Sequence, residues 1–461
     1  MRQEKDSLGM MELPDEALYG IQTARAKANF PISQLGPDPL MVDAMVRIKK
    51  AAALTHMALG VLAKDKGKAI VKAADEVLSG HHRDQFIVDV FQAGAGTSHN
   101  MNTNEVLANR ALEILGHKRG EYEELSPNDH VNMSQSTNDA FPTAIRLACL
   151  DLHPTLERAV TDAVEALGDR AQAFADILKS GRTHLQDAVP MTLGQEFGGY
   201  AATLKRALNH LQEARTSLLE LNLGATAIGS GLNTPPGYRQ AVVKALAELT
   251  DLPLQPADNP FQITQSLLDF GRYMAALKSL AIEVSKVCSD LRLLASGPTT
   301  GLRELTLPAV QPGSSIMPGK VNPSMLEMMN MVCFEVIGQE TAVSFAVEAG
   351  QLELNVMMPL VAYAMLFSMR ILANGLSALT ERCLKGIEAN REVCHRYFET
   401  SNALATALAP VIGYLKAAEL AKKVLATGRT IRQVAVPEYV DEATYEKLFQ
   451  AVVINLLGKT E

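Results

Sequence analysis

The chain has 461 residues, 47% of them hydrophobic and 20% charged, with a formal net charge of -8. A single core rarely grows beyond ~250 to 300 residues, so this length predicts two or three domains, while the acidic balance and the lack of any Lys/Arg-rich run exclude a nucleic-acid surface. Five cysteines without a C-x-x-C pair and ten scattered histidines predict buried, reduced thiols in a cytoplasmic protein and no metal-ligand constellation.

Residues 1–136 are expected to form an N-terminal domain. Its first residues, Met1 to Asp6, lead into no apolar stretch, so no secretory signal is predicted. Phe86 to Phe91 followed by Gly94-Ala-Gly96 has the look of a strand feeding a dinucleotide turn. However, His99 stands where the third glycine of that turn belongs, which speaks against it. Gly94 to Glu105 is dense in small hydroxyl and amide residues, as are Asn132 to Asp139 and Gly181 to Asp187, and each is expected at a helix border.

A central helical bundle is predicted over 137–389, from five long helices at 142–178, 193–221, 259–295, 323–348 and 352–384. The third carries an unbroken seam from Ile263 to Ala295 in steps of four and three, the mark of shallow left-handed packing. Asn259-Pro260 supplies its cap and first-turn proline and Gly297-Pro298 its stop, which gives a rod of roughly 50 Å at 1.5 Å per residue. The longest apolar run, Val356 to Met369, contains Pro359 and is shorter than the ~20 residues of a membrane span, so it reads as a buried helix. Because the helix over 352–384 is apolar nearly all round, oligomerisation is expected. Residues 390–461 would form a C-terminal domain.

Between the third and fourth helices lies Ser296 to Pro323, too rich in Gly and Pro for a regular element. Within it, Gly313-Ser-Ser-Ile-Met-Pro-Gly-Lys-Val-Asn-Pro323 combines two hydroxyls, a lysine and an amide on a backbone preset by glycine and proline, which suits an anion. It is not a P-loop: five residues separate its glycines, and Val321 replaces the metal-binding hydroxyl. A plain linker is the alternative, just as simple helix capping is for Ser136 to Asp139. Clustered hydroxyls at helix N-termini nevertheless favour a small carboxylate ligand. Ser314 has no nucleophile elbow around it, but could act as a base if Lys320 and loop amides stabilise its alkoxide.

These stretches, in this order, resemble the aspartase/fumarase superfamily, whose Gly-Ser-Ser-x-Met-Pro-x-Lys-x-Asn signature is matched by Gly313 to Asn322. Gln135 to Asp139 and Gly94 to Ser98 look like its ammonia-lyase branch, although Met358 stands where aspartases commonly carry a glutamate. The resemblance implies a mostly α protein whose five-helix bundles form a twenty-helix homotetramer, with each active site shared by three subunits. It implies deamination of L-aspartate to fumarate without a cofactor. Ser314 would be the base, and Thr97, Ser136, Thr137 and Ser315 would hold the β-carboxylate. Lys320 and Asn322 would bind the α-carboxylate, Asn138, Thr183 and His184 would surround the amino group, and Glu327 would orient His184. Dehydration of malate, or a silent structural scaffold, are the alternatives.

Overall fold

The computed structural model describes residues 1–456, so the last five residues of the predicted C-terminal domain lie outside it. The protein is mostly helical, as expected. It divides into two compact units, one of Met1–Leu156, Asn209–Ser279 and Glu335–Leu372, the other of Glu157–Leu208, Leu280–Phe334 and Ala373 onward.

In the first unit, an antiparallel hairpin of Arg2–Asp6 and Gly9–Leu13 precedes the helices Pro39–Ala58, Lys64–Leu78 and Thr97–Leu115. Asp38 starts the first of these by accepting the Leu40 amide, with Pro39 in the first turn. Their apolar faces meet in a core containing Val46, Ile70, Ala73, Val77, Val106, Leu107 and Ala111. Phe86 to Phe91 forms no strand. Instead Asp89 is buried there and accepts the amides of Ser33, Gln34 and Phe91 and the Ser33 hydroxyl, a loop-locking arrangement with no dinucleotide turn.

The five long helices span Thr137–Ala173, Leu193–Arg215, Leu268–Leu294, Ser324–Glu348 and Met358–Arg382. Within the first unit, Arg146 donates to Asp269 at 2.8 Å and Lys278 pairs with Glu340 at 2.6 Å. Within the second, Tyr200 donates to Asp290 and Asn330 donates to the Ser285 carbonyl. Side chains thus tie the first, second and fourth helices to the third.

The first two helices end earlier than expected, at Ala173 and Arg215, and three helix starts differ by more than a turn. The first helix begins at Thr137, five residues before Pro142, because Ser136 Oγ accepts the Asn138 amide while Asp139 Oδ1 accepts the Ser136 amide. Pro142 has no N–H to offer the Asn138 carbonyl, and Asn222 Nδ2 donates to it instead at 3.0 Å. The Ile263 to Ala295 seam is broken: Asn259 caps a short helix, Pro260–Gln265, as predicted, but Ser266 is extended and its hydroxyl accepts the Leu268 amide to restart the helix. The long helix is therefore 27 residues, or about 40 Å. The last helix begins at Met358, since Asn355 Oδ1 accepts the Met357 amide and Pro359 occupies the first turn. It continues past Met369 through Arg370, whose charge is met by Asp38 at 2.6 Å. Met358–Gly386 is consequently long and apolar enough to cross a membrane by length and composition, with 61% of the window buried, as suits a core helix equally.

The second unit contains a hairpin of Leu178–Thr183 and Gln186–Thr192 where a helix border was expected at Gly181 to Asp187. A buried ion cluster holds it: Lys179 pairs with Glu196 at 2.5 Å and with Glu304 at 2.7 Å, and Arg182 also reaches Glu304 at 2.7 Å. Helices Arg391–Thr400, Ala403–Ile412, Tyr414–Thr427, Ile431–Glu438 and Glu442–Leu456 pack around Phe398, Leu408, Leu420, Ile431 and Val434. All five cysteines are buried and free.

Candidate active site

Apart from Leu305–Thr306, which pairs with Glu388–Ala389, the 296–323 segment is irregular. Its signature part is a loop closed at the neck. The Gly313 amide donates to the Lys320 carbonyl at 2.8 Å, and Asn322 Nδ2 donates to the Gly313 carbonyl at 2.6 Å. Only glycine fits at 313, because a Cβ there would lie 2.4 Å from the Lys320 carbonyl oxygen and 2.6 Å from the Asn322 nitrogen. Gly319 has φ +78° and open space around it, so there the need is conformational. The neck brings Ser314, Ser315, Lys320 and Asn322 together.

Ser314 Oγ accepts the amides of Ile316 at 3.2 Å and Met317 at 2.9 Å. Two backbone amides thus converge on the Ser314 hydroxyl oxygen. The Ser315 and Lys320 side chains are exposed on the same loop.

Thr183 and His184 sit at the exposed tip of the hairpin. His184 and Leu185, its two turn residues, both have positive φ, at 54° and 60°. A two-residue turn of that kind matches the strand twist but normally takes Asn-Gly, so the tip holds non-glycine residues in a conformation that costs of order 1–3 kcal/mol each. Glu327 lies 3.7 Å from Arg292, and no Glu327–His184 bond occurs within the chain among the described residues.

Ser136, Thr137 and Asn138 form the start of the Thr137–Ala173 helix. Asn138 Nδ2 donates to the Ala227 carbonyl at 2.8 Å, and Thr137 Oγ1 accepts from Asn100 Nδ2 at 3.1 Å. Thr97 opens its own helix, exposed, after Gly96 at φ +87°. A Cβ on Gly96 would lie 2.3 Å from the Phe141 ring, so this close approach sets where that helix begins.

Beneath Thr137 lies a buried polar group that reading the sequence misses. Lys49 is completely buried, and its ammonium donates to Asn100 Oδ1 at 2.7 Å, Asn132 Oδ1 at 2.9 Å and Gln135 Oε1 at 2.9 Å. Asp139, read from sequence only as a cap residue, is also fully buried and accepts the amides of Ser136, Gly224 and Thr226. Burial pushes the Lys49 pKa down to about 7, against the pull of Asp139, and pushes the Asp139 carboxyl up to about 7. Burial also pushes His99 down to about 4, with Lys49 adding to the effect. The available signal was a lysine on the apolar face of Pro39–Ala58, between Ile48 and Ala52. Among the described residues, no group of three or more His, Cys, Asp or Glu side chains is placed to hold a metal ion.

Residues 9–338 match the Lyase family, and residues 404–453 match the family described as Fumarase C C-terminus. The chain belongs to the aspartase/fumarase superfamily of lyases. Relatives within the superfamily include the aspartate ammonia-lyase of Bacillus subtilis, 49% identical over 97% of this chain and 94% of its own length. That of Escherichia coli K12 is 49% identical over 99% and 96% respectively. Among solved superfamily structures, a fumarate lyase:delta crystallin from Brucella melitensis bound to cobalt matches with a TM-score of 0.95 at 46% identity, covering 99% of both chains. A class II fumarase from Schistosoma mansoni also reaches 0.95, at 34% identity over the full length of both.

Proposed function

We propose that the chain is an aspartate ammonia-lyase that converts L-aspartate to fumarate and ammonia. One contrast carries this choice within the superfamily: identity is 49% to aspartate ammonia-lyases over nearly the whole chain and 34% to the class II fumarase.

The reaction needs a base for the C3 proton and donors for the negative charge that builds on the β-carboxylate. Ser314 is the base; the two amides on its Oγ support that assignment. Thr97, Ser136, Thr137 and Ser315 hold the β-carboxylate, where each well-placed donor lowers the barrier by a few kcal/mol. Lys320 and Asn322 bind the α-carboxylate, while Asn138, Thr183 and His184 surround the departing amine. Glu327 orients His184 once subunits assemble.

The working form is a homotetramer with three subunits contributing to each site. Exposed Met331, Phe334 and Phe345 on the Ser324–Glu348 helix, 65%, 61% and 72% accessible, support assembly, since large apolar side chains in such a row invite burial. The test follows fumarate absorbance in parallel with L-aspartate and L-malate, alongside light scattering. Fumarate from aspartate alone, made by a tetramer, is expected. Turnover of malate but not aspartate would overturn the assignment, and a stable active monomer would overturn the shared site.

A further inference from the structure

The buried amides below the Thr137 helix start fix a direction of hydrogen bonding. An ammonium has donors and no acceptor, so Asn100, Asn132 and Gln135 must all turn their oxygens towards Lys49. Three converging oxygens favour the ammonium form of Lys49, opposing the burial that brings its pKa down to about 7. With its oxygen committed to Lys49, Asn100 has only its NH₂ to offer, and one of those hydrogens goes to Thr137 Oγ1 at 3.1 Å and the other towards Asn132 Oδ1 at 3.2 Å. Asn132 is held in turn by Asn104 Nδ2 on the same oxygen at 3.2 Å and by its own donation to the Gln135 carbonyl. Gln135 cannot turn its amide round either, because its NH₂ is taken by the carbonyls of Val131 and Met133. Among the described residues, Asn100 is the sole hydrogen-bond partner of the Thr137 hydroxyl, and the hydroxyl accepts that bond.

We propose that Lys49 and Asn100 are positioning residues that set the hydrogen-bond polarity of Thr137, leaving its hydroxyl proton free to donate to the substrate carboxylate. This rests on the reading of Thr137 as a β-carboxylate ligand. A hydroxyl that had to donate inward would meet the developing charge with a lone pair. One that accepts from Asn100 meets it with a proton, and does so before substrate arrives. The bond from Asn100 also orients the hydroxyl, so no reorganisation is needed as charge builds.

Removing Lys49 outright would leave the buried Asn100 and Gln135 oxygens without a donor and could prevent folding. Asn100→Asp is the sharper variant: the carboxylate keeps the shape and strengthens the contact with Lys49, but it can only accept, so it draws the Thr137 proton inward. The full-length enzyme should still fold, with a melting temperature lowered by the lost Asn100–Asn132 bond, and lose kcat for L-aspartate by about 10²-fold, the loss typical of one misdirected oxyanion donor. KM should rise by less than kcat falls, because the carboxylate carries more charge in the transition state than in the bound substrate. Thr137→Val should lose a similar factor, and adding Asn100→Asp to it should cost nothing further, since the two act through one bond. A purely structural role for the network predicts normal kcat in Asn100→Asp, and that outcome overturns the proposal. Additive losses in the double variant overturn it as well. Normal kcat in Thr137→Val instead overturns the substrate role of Thr137, and the polarity argument with it.

Discussion

Gly313→Ala isolates the contribution of the loop neck to activity. The added methyl would meet the Lys320 carbonyl oxygen at 2.4 Å and the Asn322 nitrogen at 2.6 Å. Both are backbone atoms, so no rotamer relieves the overlap and the two sides of the neck must separate. Separation breaks the Gly313–Lys320 backbone bond and the Asn322–Gly313 bond. At ~0.5–1.5 kcal/mol net for each bond, the closed loop loses ~1–3 kcal/mol, equivalent to a roughly 5- to 150-fold fall in its population relative to open forms. Ser314, Ser315 and Lys320 lie on the exposed loop outside the hydrophobic core, so the melting temperature should hardly move while kcat/KM for L-aspartate falls by that factor. The companion series at Gly319 separates sterics from backbone conformation. Its φ is +78°, and a methyl added there would find no atom within 4 Å. Gly319→Asn should therefore be nearly normal, because Asn tolerates the left-handed region. Gly313→Asn should be as damaging as Gly313→Ala. Fumarate absorbance gives the rates and circular dichroism the melting curves. Normal turnover in Gly313→Ala, or equal damage from Asn at both glycines, would show that the neck does not act this way.

Further expectations follow from the same geometry. Ser314→Ala should abolish turnover while retaining substrate binding by calorimetry, and a near-normal rate would refute the base assignment; Lys320→Ala should chiefly raise KM, and an unchanged KM would count against its carboxylate role. His99 has a pKa near 4 in the folded chain, below the usual histidine value. The unfolded chain therefore binds more protons between pH 6.5 and 4, and His99 subtracts stability as pH falls through that window. Asp139, pushed up to about 7, acts with the opposite sign between its ordinary value and pH 7, so the check is a difference: His99→Gln should flatten the acid side of the stability curve relative to wild type. An identical pH slope in the two proteins would sink this account. Finally, burial raises the thiols of Cys149, Cys288, Cys333, Cys383 and Cys394, so a thiol reagent should label none of them in the native enzyme and all of them in denaturant; rapid native labelling would contradict their burial.

Local rules make much of this legible without coordinates. The Asn259-Pro260 cap, the helix from Ser324 to Glu348 and the glycine-proline loop all follow from side chains acting on the nearest turn of backbone. Local rules fail where a distant group supplies what the local chain lacks. Pro142 looks like a helix start, yet the Asn138 carbonyl it leaves unpaired is satisfied by Asn222, which no local pattern reveals. The unbroken seam from Ile263 hides the break at Ser266, because apolar spacing reports which residues face a partner and is silent about a single extended residue between them. Thr183-His184 shares its composition with the helix borders, but Lys179 and Arg182 find a common partner in Glu304, more than a hundred residues on, and the segment becomes a hairpin.

The family and the available chemistry can be read from the chain alone, because the Gly313 to Asn322 signature and the hydroxyl-rich stretches are contiguous and their residue types are the functional groups. How those groups are held is a tertiary matter. The fold closes the neck at Gly313 through Lys320 and Asn322, places His184 on a strained turn, and sets Lys49 beneath Asn100 and Thr137. The physical reason is range: a side chain's chemistry is its own, whereas its orientation and the direction of its hydrogen bonds belong to whatever the fold packs against it.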